Sequence, residues 1–382
     1  MENAPLSPPA RRRTATLFFA FGALRDLLRH HLIATPATYE KIAIAEAIHR
    51  AARTQDLARE KIQPLPDDDA MLVDADVVEA AAQAVAELSR GTALPGPFVA
   101  CLTRFVATAP ADGEALARSA ELCLTHLSGI LPADGGASQH APEGRGRDLS
   151  LRDARTRLRW PPVRPRPSRY VPDRVLATDR STPHQRLVAG LHSQIFMIEI
   201  TAAEICAAIP LRFPEVPPEL NTVLAEQTDD EGRHASVLLD AFSRRGGRIE
   251  AYDYSLALWE RVQGATSLAE ALCIEQVLGE GYCIGTDLCL VDAYRERGHA
   301  DLVEIHRSIH DDEFRHALNG LTWFRRLAGQ QAAEIIAKLE PRYAENPLQE
   351  PWFRADLRRM VGFSDAEIER QRQLACEFTP PD

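Results

Sequence analysis

Apolar residues recur every three to four positions through most of the chain, the spacing of helices that bury one face. Before residue 132 this pattern predicts TLFFAFGALRDLLRHHL, TYEKIAIAEAIHRAAR, DVVEAAAQAVAELSR, PFVACLTRFVA and EALARSAELCLTHLSGIL as amphipathic helices, broken by QPLPDDDA and ALPGP. Strand-like alternation of Val, Ile and Thr is scarce. From Thr182 four longer helical patterns follow, roughly 183–209, 218–243, 267–295 and 299–327. PLRFPEVPP joins the first to the second, a short turn around Gly298 joins the third to the fourth, and GGRIEAYDYSLALWERVQGATS lies between the pairs. Hairpin, crossover, hairpin is the connectivity of a four-helix bundle with one long crossover. The expected fold is all-α. It comprises an N-terminal helical domain over 1–131, a Pro/Arg-rich linker arm over 132–182, a four-helix bundle over 183–327 and a C-terminal helical extension over 328–382.

Composition narrows the partners. A net charge of −11 argues against a general nucleic-acid or anionic-membrane binder, which needs a positive face to displace counterions. Locally the balance reverses, with ten arginines and several prolines between Arg145 and Arg174. Such a segment reads as an extended arm wrapping the acidic body of its own chain or the partner subunit of a homodimer, or else as a phosphate or RNA contact. Seven cysteines without a CxxC pair read as buried free thiols of a reducing cytoplasm. RRRTATLFFAFGAL has the charge order of an export signal, but Arg25 and Asp26 interrupt it and no cleavage site follows, so a cytoplasmic location is expected. No apolar run is expected to span a bilayer, which takes about 20 residues.

The candidate chemistry lies in a repeat. DDEGRHA at Asp229–Ala235 returns as DDEFRHA at Asp311–Ala317, 82 residues on. In each copy Glu-x-x-His, Glu231 with His234 and Glu313 with His316, places both side chains on one helix face, about a turn apart. Glu46 and His49 have the same spacing but lack the flanking Asp and Arg and have no second copy, and read as solvated surface. A dinuclear centre in a bundle takes such a pair from two helices and one Glu from each of the other two.

The other two helices offer Glu199 or Glu204, and Glu275 or Glu280. Residues level with each other in an antiparallel hairpin are equidistant from its turn. Glu199 and Glu231 have their midpoint at residue 215, inside PLRFPEVPP, and Glu280 and Glu313 have theirs at 296.5, in the RERG turn. The geometry therefore favours Glu199 and Glu280 as ligands. Their spacings to the repeat, 32 and 33 residues, make the two hairpins copies of one unit. Glu204 and Glu275 stand five residues away, about 140° round an α-helix, and are left as interhelical ion pairs, hydrogen-bond partners of the ligands, or extra ligands. A metal-bound histidine usually donates its other ring N–H to a carboxylate. Asp230 and Asp312 are placed to reach the histidine of the facing hairpin, with Arg233 and Arg315 closing each network.

These residues resemble the ferritin-like di-iron carboxylate superfamily, especially its oxygenase-type members with a doubled Asp-Glu-x-Arg-His. Over roughly 160–327, RPRPSRYVPDRVLATD, IEITAAE, FPEVPP and DDEFRHALNGLTWF are similar to a branch of bacterial ferritin-like proteins related in pattern to tRNA-modifying di-iron hydroxylases. That branch often carries a histidine two residues before the first ligand glutamate, where this chain has Met197; His192, on the same face, is a candidate substitute. Leu238 stands where reductase small subunits have their radical tyrosine, so a stable tyrosyl radical is not expected, and Tyr282 reads as packing or a neighbour of the ligands.

The resemblance implies two iron ions, or manganese with iron, which suit a mixed imidazole and carboxylate set. It implies an O2-activating oxidase or oxygenase that attacks a C–H or N–H bond of a small organic substrate. No flavin, nicotinamide or iron–sulfur motif is present, so electrons come from an external donor or from the substrate. Iron handling or peroxide scavenging of the ferritin and rubrerythrin type, and RNA hydroxylation, are the alternatives.

Overall fold

The computed structural model describes residues 6–63, 70–89, 96–107, 114–130, 148–163, 182–342, 349–350, 353–374 and 376–377. They are mostly helical, and among them the sheets are two two-stranded pairs. The chain divides into two compact units, Met1–Pro167 with Pro210–Arg212 and Pro217–Asp229, and Ser168–Ile209 with Phe213–Val216 and Asp230–Asp382.

The first unit is built on the long helices Pro8–Ala34 and Thr38–Lys61, which pack on each other. Ser7 caps the first, its side chain accepting from the Ala10 amide, and prolines occupy the opening positions, where a missing N–H costs nothing. The apolar stripe Leu17, Leu24, Leu28 and Leu32 is buried, as are Ile44, Ile48 and Ala51 on the second helix. Of the expected arm, residues 132–147 and 164–181 lie outside the described residues. Within it, Asp148–Ser150 pairs antiparallel with Leu72–Asp74, and Ser150 caps a short helix, Leu151–Arg157. Arg12 fastens that strand pair through Asp74 at 3.3 Å and Asp148 at 2.5 Å.

Glu46 and His49 depart from the solvated surface expected of them. His49 Nδ1 lies 2.9 Å from Asp229, and Glu46 accepts from Arg50 at 2.9 Å, so both are half-buried in a polar network.

The second unit carries most of the four long helices, Pro183–Arg212, Pro218–Arg244, the stretch from Leu268 to Glu296, and Ala300–Ala328. The first passes the expected stop at Ile209 and continues through Pro210 to Arg212. The third is not continuous. Leu268–Leu272 runs into Cys273–Gly281, and a new helix, Thr286–Glu296, starts after Gly285. Gly285 has φ 99°, and a Cβ there would meet Arg354 Cγ at 2.7 Å, so only glycine fits the break.

Arg358, fully buried on the C-terminal helix Ala355–Val361, donates to the carbonyls of Tyr282 (2.5 Å) and Ile284 (3.4 Å) that the break leaves without helical partners. Replacing it by methionine keeps volume and removes both donors. We expect Arg358→Met to cost about 2–4 kcal/mol, the penalty of two buried unpaired carbonyls, measured by chemical denaturation.

Contrary to the sequence expectation, Pro183–Arg212 is long and apolar enough to cross a bilayer, but 72% of its apolar window is buried. The six cysteines with described surroundings are all free. Cys123, Cys206 and Cys273 are buried as expected, whereas Cys283 is exposed and Cys101 and Cys289 are half-buried.

Candidate metal centre

Two of the long helices deliver their glutamates from widened turns. Gln194–Glu199 and Cys273–Gly281 are π-helical, one in each hairpin, inside otherwise α-helical runs. Widened turns of this kind are rare and concentrate at functional sites. In the first, the Ile200 amide donates to the Ile195 carbonyl, and Gln194 Nε2 donates to Glu199 Oε1 at 3.0 Å, five residues along. Thr201 Oγ1 donates to the Phe196 carbonyl at 3.0 Å, five residues back.

Glu199, Glu231, His234 and Glu313 converge so that one donor atom from each lies within 4.8 Å of the others, and so do Glu231, Glu280, Glu313 and His316. All six residues chosen from the repeat and the hairpin midpoints are in these groups, and Glu231 and Glu313 belong to both. Each group could hold a metal ion.

The histidines are aimed by the other half of the repeat. His234 Nε2 donates to Asp312 at 3.1 Å and His316 Nε2 donates to Asp230 at 3.1 Å, each across to the facing hairpin. Arg233 reaches Asp230 at 2.8 Å and Asp312 at 2.6 Å, while Arg315 reaches Asp230 at 2.5 Å and Asp312 at 3.0 Å. In the neutral imidazole, with Nε2 donating, each Nδ1 is a bare acceptor. His234 Nδ1 has no hydrogen-bond partner and stands 3.4 Å from Glu199, Glu231 and Glu313; His316 Nδ1, equally without one, stands 3.3 Å from Glu231 and 3.5 Å from Glu313. Acceptors facing acceptors at that separation fit a cation between them, since metal–nitrogen and metal–oxygen distances of about 2.0–2.2 Å set neighbouring ligands about 3 Å apart.

The electrostatics show the same deficit of positive charge. Burial, opposed by the nearby His234, pushes Glu199 up to about 8. Burial and the charges of Glu313 and Glu231 push Glu280 well above the carboxylate range, and burial with Glu231 and Glu313 does the same to Glu275. Burial acts against them, yet the two imidazoles beside them hold Glu313 well below its usual value and Glu231 below it. Burial likewise opposes the charged imidazoles, but their carboxylate partners raise His234 and His316 well above 6.5. Asp230 and Asp312 stay low despite burial because His316 and His234, respectively, and Arg233 bond to them. Protons are held where a cation would bind.

The remaining candidates divide. Glu275 lies in the same widened turn as Glu280, where residues five apart come closer to one side than the 140° of an α-helix allows. It lines the cavity beside the ligands but is in neither ligand group. Glu204 is fully buried and also outside both. His192 does not join the ligands; it is buried among Phe196 (4.5 Å), Tyr252 (4.8 Å) and Phe242 (5.8 Å). Tyr282 is buried and donates its hydroxyl to Glu340, which also pairs with Arg370 at 2.9 Å.

A cavity of about 630 Å³ reaches the centre, with Glu199, Glu231, Glu280 and Glu313 on its wall. Met197, Ile198, Leu258, Leu278, Leu290 and Ile309 make much of the rest apolar.

Asp312 orients His234 without joining a ligand group. We expect Asp312→Asn to weaken metal binding roughly 10- to 100-fold with the helical content unchanged, by equilibrium dialysis and circular dichroism, as is usual when the carboxylate behind a ligand histidine is lost.

A family model described as protein of unknown function (DUF455) matches residues 136–369, which include every residue of the centre. No curated protein and no solved structure matches the chain.

Proposed function

The chain belongs to the DUF455 family, and from its buried centre we propose that it is a non-haem di-iron oxygenase or oxidase, its four long helices forming a ferritin-like bundle, that oxidises a small organic substrate with O2. The observation that carries the reading is the pair of ligand groups sharing Glu231 and Glu313. Four ligand carboxylates balance two divalent ions, and imidazole with carboxylate is a set that suits iron, or manganese with iron. Iron there supplies the electrons that O2 needs for its first reduction.

The protein's own groups do the rest. Asp230 and Asp312 keep each imidazole's Nδ1 turned inward. Gln194 orients Glu199 through its hydrogen bond. Glu275, whose carboxyl burial and neighbouring charges push well above the carboxylate range, stands at the cavity wall as a group that would hold a proton beside the ligands. The apolar wall excludes water and receives the substrate. For hydroxylation the balance is O2, a substrate C–H, two electrons and two protons giving an alcohol and water, the electrons coming from an external donor.

Iron storage and peroxide scavenging have no use for an apolar cavity of this size. RNA hydroxylation requires a cationic approach, whereas among the described residues the charged groups on this wall are carboxylates and Arg261. Anaerobic titration should show two Fe(II) bound per chain, and admitting O2 should then produce O2 uptake and a transient visible band. Iron-loaded protein that leaves O2 untouched would refute the reading.

A further inference from the structure

The cavity has a second polar end. Asp287, in the first turn of Thr286–Glu296, lines it with its side chain 14% exposed, and its Oδ1 takes a 2.7 Å hydrogen bond from Nδ1 of His306. His306 is fully buried and its Nε2 has no partner. Among the described residues His306 is the one hydrogen-bond or ion-pair partner of Asp287, and the other carboxylate oxygen, Oδ2, meets none. Tyr294, which also lines the cavity and stacks on His306 at 5.2 Å, adds no positive charge: burial and the Asp287 charge push its phenol up to about 12. Arg261 already has a partner of its own.

The pair is not part of the metal repeat. Eighty-two residues before His306 stands Leu224, and the position corresponding to Asp287, seven past the first ligand glutamate, is Cys206, so the first hairpin has apolar residues at both places. His306 lies seven residues before Glu313 on the same helix face, with Ile309 between them, which sets Asp287's partner about 10 Å along the helix from the level of the ligands.

We infer that the cavity takes an amphipathic organic amine, its ammonium group on Asp287 and its apolar body along Ile309, Leu290 and Ile198 towards the metal centre. The substrate class is then a cationic amine oxidised on a carbon about 10 Å from its nitrogen. This rests on the oxygenase reading only for the oxidation; amine recognition stands on the cavity alone.

Calorimetric titration of octylamine, octanol and octanoate, matched in length, tests it on metal-free and iron-loaded full-length protein, with iron per chain counted separately. Octylamine should bind at least tenfold tighter than octanol, with octanoate weakest, and Asp287→Asn should abolish the preference while the iron count is unchanged. A wild-type protein that binds octanol or octanoate as tightly as octylamine overturns the inference, and so does an Asp287→Asn protein that keeps the amine preference. An iron count below two with the amine preference intact would sink the di-iron reading and leave the amine site standing.

Discussion

Glu231→Ala and Glu313→Ala chains should each bind less than one iron where the wild type binds two. Both carboxylates belong to both ligand groups, so removing either takes a ligand from each ion and leaves the remaining buried carboxylates facing one another. Glu199→Ala and Glu280→Ala remove a ligand from one group only, and each should retain about one tightly held ion per chain. Elemental analysis after dialysis, with circular dichroism to establish folding, reads the difference. If the four variants lose iron equally, the carboxylates are not shared in the way the geometry implies.

The second large effect is on stability without metal. Glu199, Glu275 and Glu280 are raised on folding, so their contribution is full below the ordinary value of 4.5 and is lost as pH rises from there through their folded values, near 8 for Glu199. His234 and His316 are raised too, and their contribution fades as pH climbs above about 6.5. Asp230, Asp312 and Glu313 are lowered and act the other way, contributing above about 4 and losing that contribution in acid. The metal-stripped protein should therefore be most stable at about pH 4–5. Between pH 6 and 8.5 its Tm should fall by roughly 5–10 °C, the shift that 2–3 kcal/mol produces in a unit of this size. Iron should reverse the trend, because metal replaces those protons and binds more tightly as they leave. A metal-free Tm that holds or rises across that interval would contradict the electrostatic account.

What the sequence made legible was what local spacing encodes. The helical periods placed the long helices to within a few residues, because an amphipathic stripe is written in the residues themselves. The doubled DDExRH and the hairpin midpoints picked out the residues that converge, because antiparallel helices joined by short turns have a fixed register. What stayed hidden depends on partners distant in sequence or on backbone shape without a residue code. The widened turns at Gln194–Glu199 and Cys273–Gly281 carry no signature beyond two glycines in the second. The break at Gly285 is supported by Arg354 and Arg358, about 70 residues on. Nothing in the sequence marks Asp287, which lines the cavity, or His306, which the fold brings against it. His49 looked exposed because its partner, Asp229, is 180 residues away.

The central claim is that two mirrored hairpins hold a pair of metal ions between them, and anomalous diffraction at the iron edge from iron-loaded crystals tests it most directly. Two peaks per chain are predicted, one bordered by Glu199, Glu231, His234 and Glu313 and the other by Glu231, Glu280, Glu313 and His316. A map with no peak among these side chains, or with iron bound only elsewhere, would contradict it.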